Sequence, residues 1–434
     1  MRSSLNSSCG NLRQTPPPPA RINTILRLPG DAVAPLMPTA ATHTAPDSVR
    51  VLTYAAYISF IPIGIATVIL GPMLPTLSAR WSLNYSQVGA FFPVQYVAST
   101  CAVAFSGVLA TWRGYRFAMK TGLLLTAIGL AFLLAGPKWC ATLCIAANGA
   151  GLGLAVPAAN LMVAAVNPGR RSATLNLLNF FWSTGAVACP FLVAAAAKTQ
   201  HIPLFLLCVS GFSISVVIGI ALTGNRIVEP VVTLDRRPVL SLIRARTHLF
   251  SILALLFFLY VGVENAFGQW LASYGKSLGT LTLAISLAIP SFFYASLTVG
   301  RMLAPALLQI IDEIRLVQTG LLLACAGMAG LIFSHALPGV AASACAGGLG
   351  LSYVYPITIS LLSREFDSPR IGSLMFVLSN IGGGLLPWLV GVSSTRFGTL
   401  KAGFYVPLLG CALMYVLYLR NWTRSDSATG YSAG

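Results

Sequence analysis

The sequence predicts an all-α membrane protein of twelve transmembrane helices arranged as two six-helix bundles. Three observations carry this expectation. Hydrophobic residues make up 56% of the 434-residue chain and charged residues only 9%, against about one quarter charged in an ordinary soluble protein, so a soluble fold could not cover its own surface. Twelve apolar runs follow one another, each close to the roughly twenty residues that cross a bilayer as a helix. A long charged loop and an internal repeat divide these runs into six and six.

Residues 1–50 form a polar tail containing Pro16-Pro17-Pro18-Pro19 and many Ser and Thr, with no core-forming periodicity, and are expected to be disordered and cytoplasmic. No apolar stretch follows the early Arg residues, so the tail lacks the pattern of a cleavable signal. The apolar runs then lie at about 51–79, 87–110, 117–136, 140–165, 174–197 and 203–223, which make an N-terminal bundle over 51–223. A cytoplasmic linker over 224–247 carries Arg226, Glu229, Asp235, Arg236, Arg237, Arg244 and Arg246. Further runs at about 248–272, 281–302, 315–334, 338–362, 372–394 and 402–420 make a C-terminal bundle over 248–420, and 421–434 form a second cytoplasmic tail.

The bases report orientation. With both termini inside, six of the 27 Lys and Arg residues (Arg80, Lys138, Lys198, Lys276, Arg396 and Lys401) fall in outward loops and the other 21 fall inward. That asymmetry predicts a multi-pass protein of the plasma (inner) membrane with both termini cytoplasmic. The net charge of +17 is not a nucleic-acid footprint, because the bases sit singly or in pairs such as Arg170-Arg171. No His-x-x-x-His, Gly-x-Ser-x-Gly or phosphate-loop pattern occurs, and the nine Cys carry no metal or disulfide spacing. These absences predict no enzyme activity, no ATP-driven pumping, no metal and no cofactor.

The repeat appears when the chain is shifted by 197 positions. Gly151-Leu152-Gly153-Leu154 then falls on Gly348-Leu349-Gly350-Leu351, Gly185 on Gly382, and Pro190-Phe191-Leu192-Val193 on Pro387-Trp388-Leu389-Val390. The glycines among them suit helices that approach closely where lipid supplies no hydrophobic drive.

Hydrocarbon penalises unpaired polar groups, so intramembrane polar residues are the best functional pointers. Nine of the ten acids can be placed outside the membrane; the tenth is Glu264, in Tyr260-Val261-Gly262-Val263-Glu264-Asn265-Ala266-Phe267-Gly268-Gln269-Trp270 of the seventh run. It is expected about eight residues, some 12 Å, from the outer end of that helix. A carboxylate there accepts a substrate hydroxyl or serves as a protonatable coupling group; the structural alternative is a polar lock between helices. Asn265 and Gln269 share a helix face, and with Trp270 they suit a neutral polyol, since amides donate and accept while a ring packs on C–H faces. Gln95, Asn148, Asn160, Asn176, Asn179, Trp182, Tyr353, Tyr355, Asn380 and Trp388 complete the intramembrane candidates.

At this point the chain resembles the major facilitator superfamily over residues 51–420. Gly107-Val108-Leu109-Ala110-Thr111-Trp112-Arg113-Gly114-Tyr115-Arg116 is similar to the superfamily's Gly-x-Leu-x-Asp-x-x-Gly-x-Arg gating signature, with Thr111 where Asp is usual. The resemblance implies gating roles for Arg113, Gly114 and Arg116, and for Arg301 in Gly300-Arg301, the degenerate counterpart in the second half. Tyr260-Val261-Gly262-Val263-Glu264 with Gly268-Gln269-Trp270, Gly151-Leu152-Gly153-Leu154 with Ala158-Ala159-Asn160, and Asn176-Leu177-Leu178-Asn179-Phe180-Phe181 resemble the fucose–galactose–glucose:proton symporter group. That group's member fucose permease couples protons through acids in spans 1 and 4, whereas here span 1 has none and Val156 or a neighbour stands in span 4.

The expected function is therefore transport of a small polar solute, in the sugar class, by alternating access of a monomer within the bilayer. Glu264 would couple a proton. The substrate set would be Glu264, Asn265, Gln269, Trp270, Tyr353 and Asn380 from the second half, with Asn160, Asn179, Trp182 and Gln95 from the first. Uniport, coupling to another ion, efflux of amphipathic compounds or lipids, and a non-transporting sensor on the same scaffold are the alternatives.

Overall fold

The structure, a computed structural model, describes residues 46–222, 243–244, 246–366 and 369–422. The two tails therefore fall outside the described residues except for 46–50 and 421–422, and the linker lies mostly outside them. The regular elements among the described residues are all helices, with no strand among them.

Among the described residues the helices form twelve segments in chain order, numbered here as spans; eleven are long and apolar enough to cross a membrane, the third being the exception. The first half comprises Pro46–Val68 continued by Leu70–Trp81 (span 1), Tyr85–Gly89 with Phe91–Arg113 (span 2), Tyr115–Ala131 (span 3), Lys138–Val166 (span 4), Arg171–Lys198 (span 5) and Ile202–Leu222 (span 6). The second half comprises Thr247–Ser277 (span 7), Leu283–Leu307 (span 8), Glu313–Phe333 (span 9), Leu337–Leu351 with Val354–Glu365 (span 10), Pro369–Phe397 (span 11) and Leu400–Gly403 with Tyr405–Asn421 (span 12). Span 3 is a single helix of 17 residues, roughly 26 Å long. The linker end of the molecule is where spans 2 and 3, 4 and 5, and 6 and 7 are joined.

Local chemistry sets the turns. Gly114 has φ 85° between spans 2 and 3, a left-handed conformation in which a side chain is strained. Asn84 starts span 2 with a reciprocal cap: its side chain accepts from the Gln87 amide at 2.9 Å, and Gln87 Oε1 accepts from the Asn84 amide at 3.1 Å. The Asn84-Tyr85-Ser86 triplet, which matches a glycosylation sequon, is thus a helix start. Span 7 runs five residues past its expected end at 272, because Tyr274 is buried and donates to the Leu331 carbonyl of span 9 at 2.6 Å.

Glycine contacts reveal how the repeat works. A Cβ on Gly185 of span 5 would land on the Ile61 carbonyl of span 1, and one on Gly382 of span 11 would land on the Phe258 carbonyl of span 7. Both residues and both partners are related by the same shift of 197. In spans 4 and 10 the structural equivalence is different. Gly149 and Gly151 press on the carbonyls of Gln95 and Gly122, and their counterparts on Phe293 and Gly320 are Gly348 and Gly350. The sequence match of Gly151 to Gly348 is thus displaced by one glycine, because Gly-Leu-Gly-Leu repeats every two residues and aligns with itself in either register.

Spans 5 and 8, and spans 2 and 11, pack against each other across the two halves. Hydrogen bonds joining the halves gather at the end away from the linker. The Ser86 amide donates to Thr395 Oγ1 at 2.8 Å, Ser291 Oγ to the Val187 carbonyl at 2.9 Å, and Lys276 Nζ to the Pro75 carbonyl at 3.4 Å.

Gly185→Val and Gly382→Val are each expected to destabilise the protein by about 1–3 kcal/mol through overpacking. Gly219→Ala, with open space for 4 Å around its Cβ, is expected to be neutral. Thermal melting in detergent measures all three; equal melting temperatures for Gly382→Val and Gly219→Ala would show that the spans 7–11 seam tolerates a side chain.

Candidate substrate site

Glu264 stands near the middle of the 31-residue helix of span 7, deeper than its expected place near the outer end, because that helix continues to Ser277. A partner stands with it. Arg301 Nη2 of span 8 lies 3.8 Å from Glu264 Oε2, and donates to Tyr260 Oη at 3.2 Å. The Tyr260 ring, one helical turn before Glu264, stacks on Tyr355 of span 10 with centroids 5.1 Å apart and planes 24° apart. Tyr96 of span 2 and Tyr294 of span 8 also lie within electrostatic reach of the carboxylate.

Gly300 explains why Arg301 reaches this place. A Cβ at Gly300 would strike the Ser352 side chain, so the glycine lets span 8 close onto span 10. Span 10 is interrupted at Ser352 and Tyr353. Beyond the interruption Tyr355 faces Tyr260, while Tyr353 is buried beside Gly320 of span 9. Arg301, for which the resemblance implies a gating role, lies inside the helix Leu283–Leu307 and meets Glu264. A glutamate and an arginine at this depth each supply the counter-charge that hydrocarbon denies the other.

Gln269 and Trp270 belong to a seal and not to the site's surface. Span 1 is interrupted at Ile69, where Pro72 brings no amide hydrogen to the Val68 carbonyl and its ring crowds that carbonyl. The Gln269 carboxamide braces this turn from the other half of the molecule. Its Oε1 accepts from the Gly71 amide at 2.7 Å, and its Nε2 donates to the Thr67 carbonyl at 3.3 Å. Residues 67 and 71 are the i and i+4 partners of a helical turn, so the side-chain amide grips both ends of one turn. Gly71 is required, since a Cβ there would come within 2.6 Å of the Gln269 carbonyl. Trp270 is fully buried and donates to the Pro387 carbonyl of span 11 at 2.8 Å. Its ring packs beside Tyr85 and Phe92 of span 2 at 6.1 and 6.2 Å.

The other expected site residues are dispersed. Asn265 donates to its own helix at Val261, 2.8 Å away, and its Oδ1 accepts from Gln269 at 3.4 Å. Asn160 and Asn179 likewise bond back to Val156 and Leu175, at 2.9 and 3.0 Å. Trp182 donates to Thr67 Oγ1 at 3.3 Å beside the braced turn. Gln95 is buried between spans 2 and 4 with its Oε1 unpartnered. Asn380 lines an apolar groove of about 520 Å³ between spans 2 and 11, with Pro93, Tyr96, Val97 and Trp388. Arg113 is exposed, over the Phe117 ring at 5.0 Å. Arg116 is buried and donates to the Ile220 carbonyl at 2.9 Å, closing the end of span 6 within its own half.

Glu264, Arg301, Tyr260 and Tyr355 are thus brought together. Tyr355 had only a generic polar signal in the sequence. Tyr260 carried a better one, its i, i+4 spacing from Glu264.

Gln269→Leu keeps bulk but removes both grips on span 1, and is expected to cost about 1–3 kcal/mol, the usual worth of two such bonds. Gln269→Glu retains an acceptor for Gly71 yet, when ionised, has no donor for Thr67, and is expected to be destabilised as well. Melting temperatures unchanged in both variants would show that the brace contributes nothing.

Comparison with known proteins agrees with this architecture. The sequence profile of the Major Facilitator Superfamily matches residues 56–387. Bypass of stop codon protein 6 of Saccharomyces cerevisiae is 22% identical over 426 residues, covering 86% of this chain and 82% of the yeast protein. Two solved structures share the fold. The nucleoside transporter NupG aligns with a TM-score of 0.68 at 14% identity, over 86% of this chain and 98% of that one. The Escherichia coli fucose:proton symporter FucP aligns with a TM-score of 0.58 at 20% identity, over 86% and 98%. The chain belongs to the major facilitator superfamily, and it is a multi-pass membrane transporter, not an enzyme.

Proposed function

We propose that this transporter moves a small polar solute of the sugar class by alternating access between the halves 51–223 and 248–420, with Glu264 as the proton-coupling group. The observation that carries the reading is the Glu264–Arg301 pair at mid-depth, flanked by the stacked Tyr260 and Tyr355. A charge pair in hydrocarbon is expensive to keep unless it does something that neutral packing cannot. Stacked rings offer C–H contact and phenol hydroxyls offer donors and acceptors, which suits a hydroxylated ring. The fold shared with a fucose:proton symporter supports the same class.

In this reading both termini and the linker are cytoplasmic, the protein is a monomer of the plasma (inner) membrane, and no cofactor takes part. The closed end bearing Gln269 and Trp270 is then the outer face, and substrate leaves towards the cytoplasm. Glu264 lies on span 7, whereas fucose permease carries its acids in spans 1 and 4. Coupling therefore works differently here: protonation of Glu264 removes the counter-charge of Arg301 and changes what that arginine binds. The apolar groove between spans 2 and 11 favours a second reading, efflux of an amphipathic compound or lipid.

Purified protein in liposomes, with an inward proton gradient, is expected to accumulate at least one radiolabelled member of a panel of hexoses, pentoses and their acids. Glu264→Gln is expected to abolish gradient-driven accumulation while counterflow exchange of the same compound persists. Accumulation unchanged in Glu264→Gln would remove the coupling role. A silent sugar panel beside movement of a fluorescent lipid or cationic dye would favour the second reading.

A further inference from the structure

We infer that Tyr96 is the binding residue through which the first half holds a cargo hydroxyl at the charged site, close to its repeat counterpart Tyr294 of the second half. The inference rests on the sugar reading above and gives it a contact from the half that lacks the charge pair.

The glycine run of span 11 shows how Tyr96 gets there. A Cβ on Gly383 would lie 2.6 Å from Tyr96 Cε1, 2.9 Å from its Cζ and 3.0 Å from Val261 Cγ1 of span 7, and one on Gly384 would lie 3.0 Å from Tyr96 Cβ. Two positions without side chains thus make a hollow for a ring of the first half, and the far end of that ring reaches the seam of spans 7 and 11. Val261 stands one helical turn before Asn265. The Tyr96 hydroxyl shares a hydrogen bond with the Asn265 side chain and lies within electrostatic reach of Glu264. A phenol both donates and accepts, so one of its two roles stays open to a sugar hydroxyl.

The repeat gives the same residue type at the matching place. Gly149 rests on the Gln95 carbonyl and Gly348 on the Phe293 carbonyl, so the residues next along, Tyr96 and Tyr294, are structural counterparts on spans 2 and 8. Both lie within electrostatic reach of Glu264 and of each other. The first-half residues expected at the site are placed elsewhere. Asn160 and Asn179 bond back to their own helices, Gln95 is buried against span 4, and Trp182 is held on Thr67 beside the braced turn. A ligand moves a two-state protein only by binding one state better than the other. Cargo held by Tyr96 from one half and by the charge pair from the other keeps both contacts only while the halves stand together around it.

The test measures uptake of D-glucose, D-galactose, L-fucose and D-xylose by the purified full chain in liposomes. For each sugar that moves, Tyr96→Phe is expected to raise KM about threefold to tenfold, the usual worth of one hydrogen bond, with the maximal rate and the melting temperature unchanged. Phenylalanine keeps the ring in the glycine hollow, so a role in packing alone would leave KM where it was. Gly383→Ala is the second variant: it keeps the hydroxyl but displaces the far end of the ring, and is expected to raise KM as well. Should Tyr96→Phe fail to fold, Gly383→Ala decides by the same measure. An unchanged KM, or a lowered maximal rate at unchanged KM, overturns the inference and leaves sugar transport standing. If none of the four sugars moves, the sugar reading falls, and this inference with it.

Discussion

An ionised glutamate and an arginine can persist at the middle of a membrane helix bundle only as partners, and much of the second half is arranged so that they meet. Gly300 brings span 8 against span 10, which carries Arg301 to span 7. The interruption of span 10 at Ser352 and Tyr353 sends one tyrosine towards span 9 and the next but one onto Tyr260. Close helix approach, a broken helix and an aromatic stack thus serve one electrostatic requirement. The cost of separating the charges in hydrocarbon exceeds what any single packing contact contributes.

The two halves share a packing plan but not a chemistry. Gly185 on Ile61 and Gly382 on Phe258 are the same contact made twice. The first half, however, has no intramembrane acid, and among the described residues its buried Gln95, Thr126 and Asn148 keep unpartnered oxygens in helix–helix seams. Repetition supplies two similar rigid bodies, as alternating access needs. The intramembrane charge pair sits in one of them, and in the proposed cycle the other half acts on it by closing over it.

Much of this was legible in the residue pattern. Span number, the division into halves, the repeat offset and the singular position of Glu264 all follow from hydropathy and counting, because hydrocarbon sorts residues by a single strong rule. What stayed hidden depends on direction. Arg301 read as an inward base, since position along a helix does not tell which neighbour a side chain meets. Gln269 and Trp270 shared a helix face with a substrate-like character, yet span 1 and span 11 occupy that face. Tyr353 and Tyr355 were indistinguishable in sequence, and the helix break between spans' halves separates their fates. The period-two glycine pattern aligned in the wrong register for a similar reason: composition repeated faster than the contact it makes.

The closed end and the charged site divide their labour. Apart from Lys276 on the Pro75 carbonyl, the bonds that join the halves there come from neutral groups: Gln269 on Thr67 and Gly71, Ser291 on Val187, and the Ser86 amide on Thr395. Such bonds do not change with protonation near neutral pH. At about 0.5–1.5 kcal/mol apiece they sum to a few kcal/mol, a gap that ligand binding can reverse. A seal of fixed, moderate strength beside one titratable pair separates two tasks. In the proposed transport cycle the neutral bonds would set how far apart the two access states lie in free energy, and protonation of Glu264 beside Arg301 would decide which state is favoured.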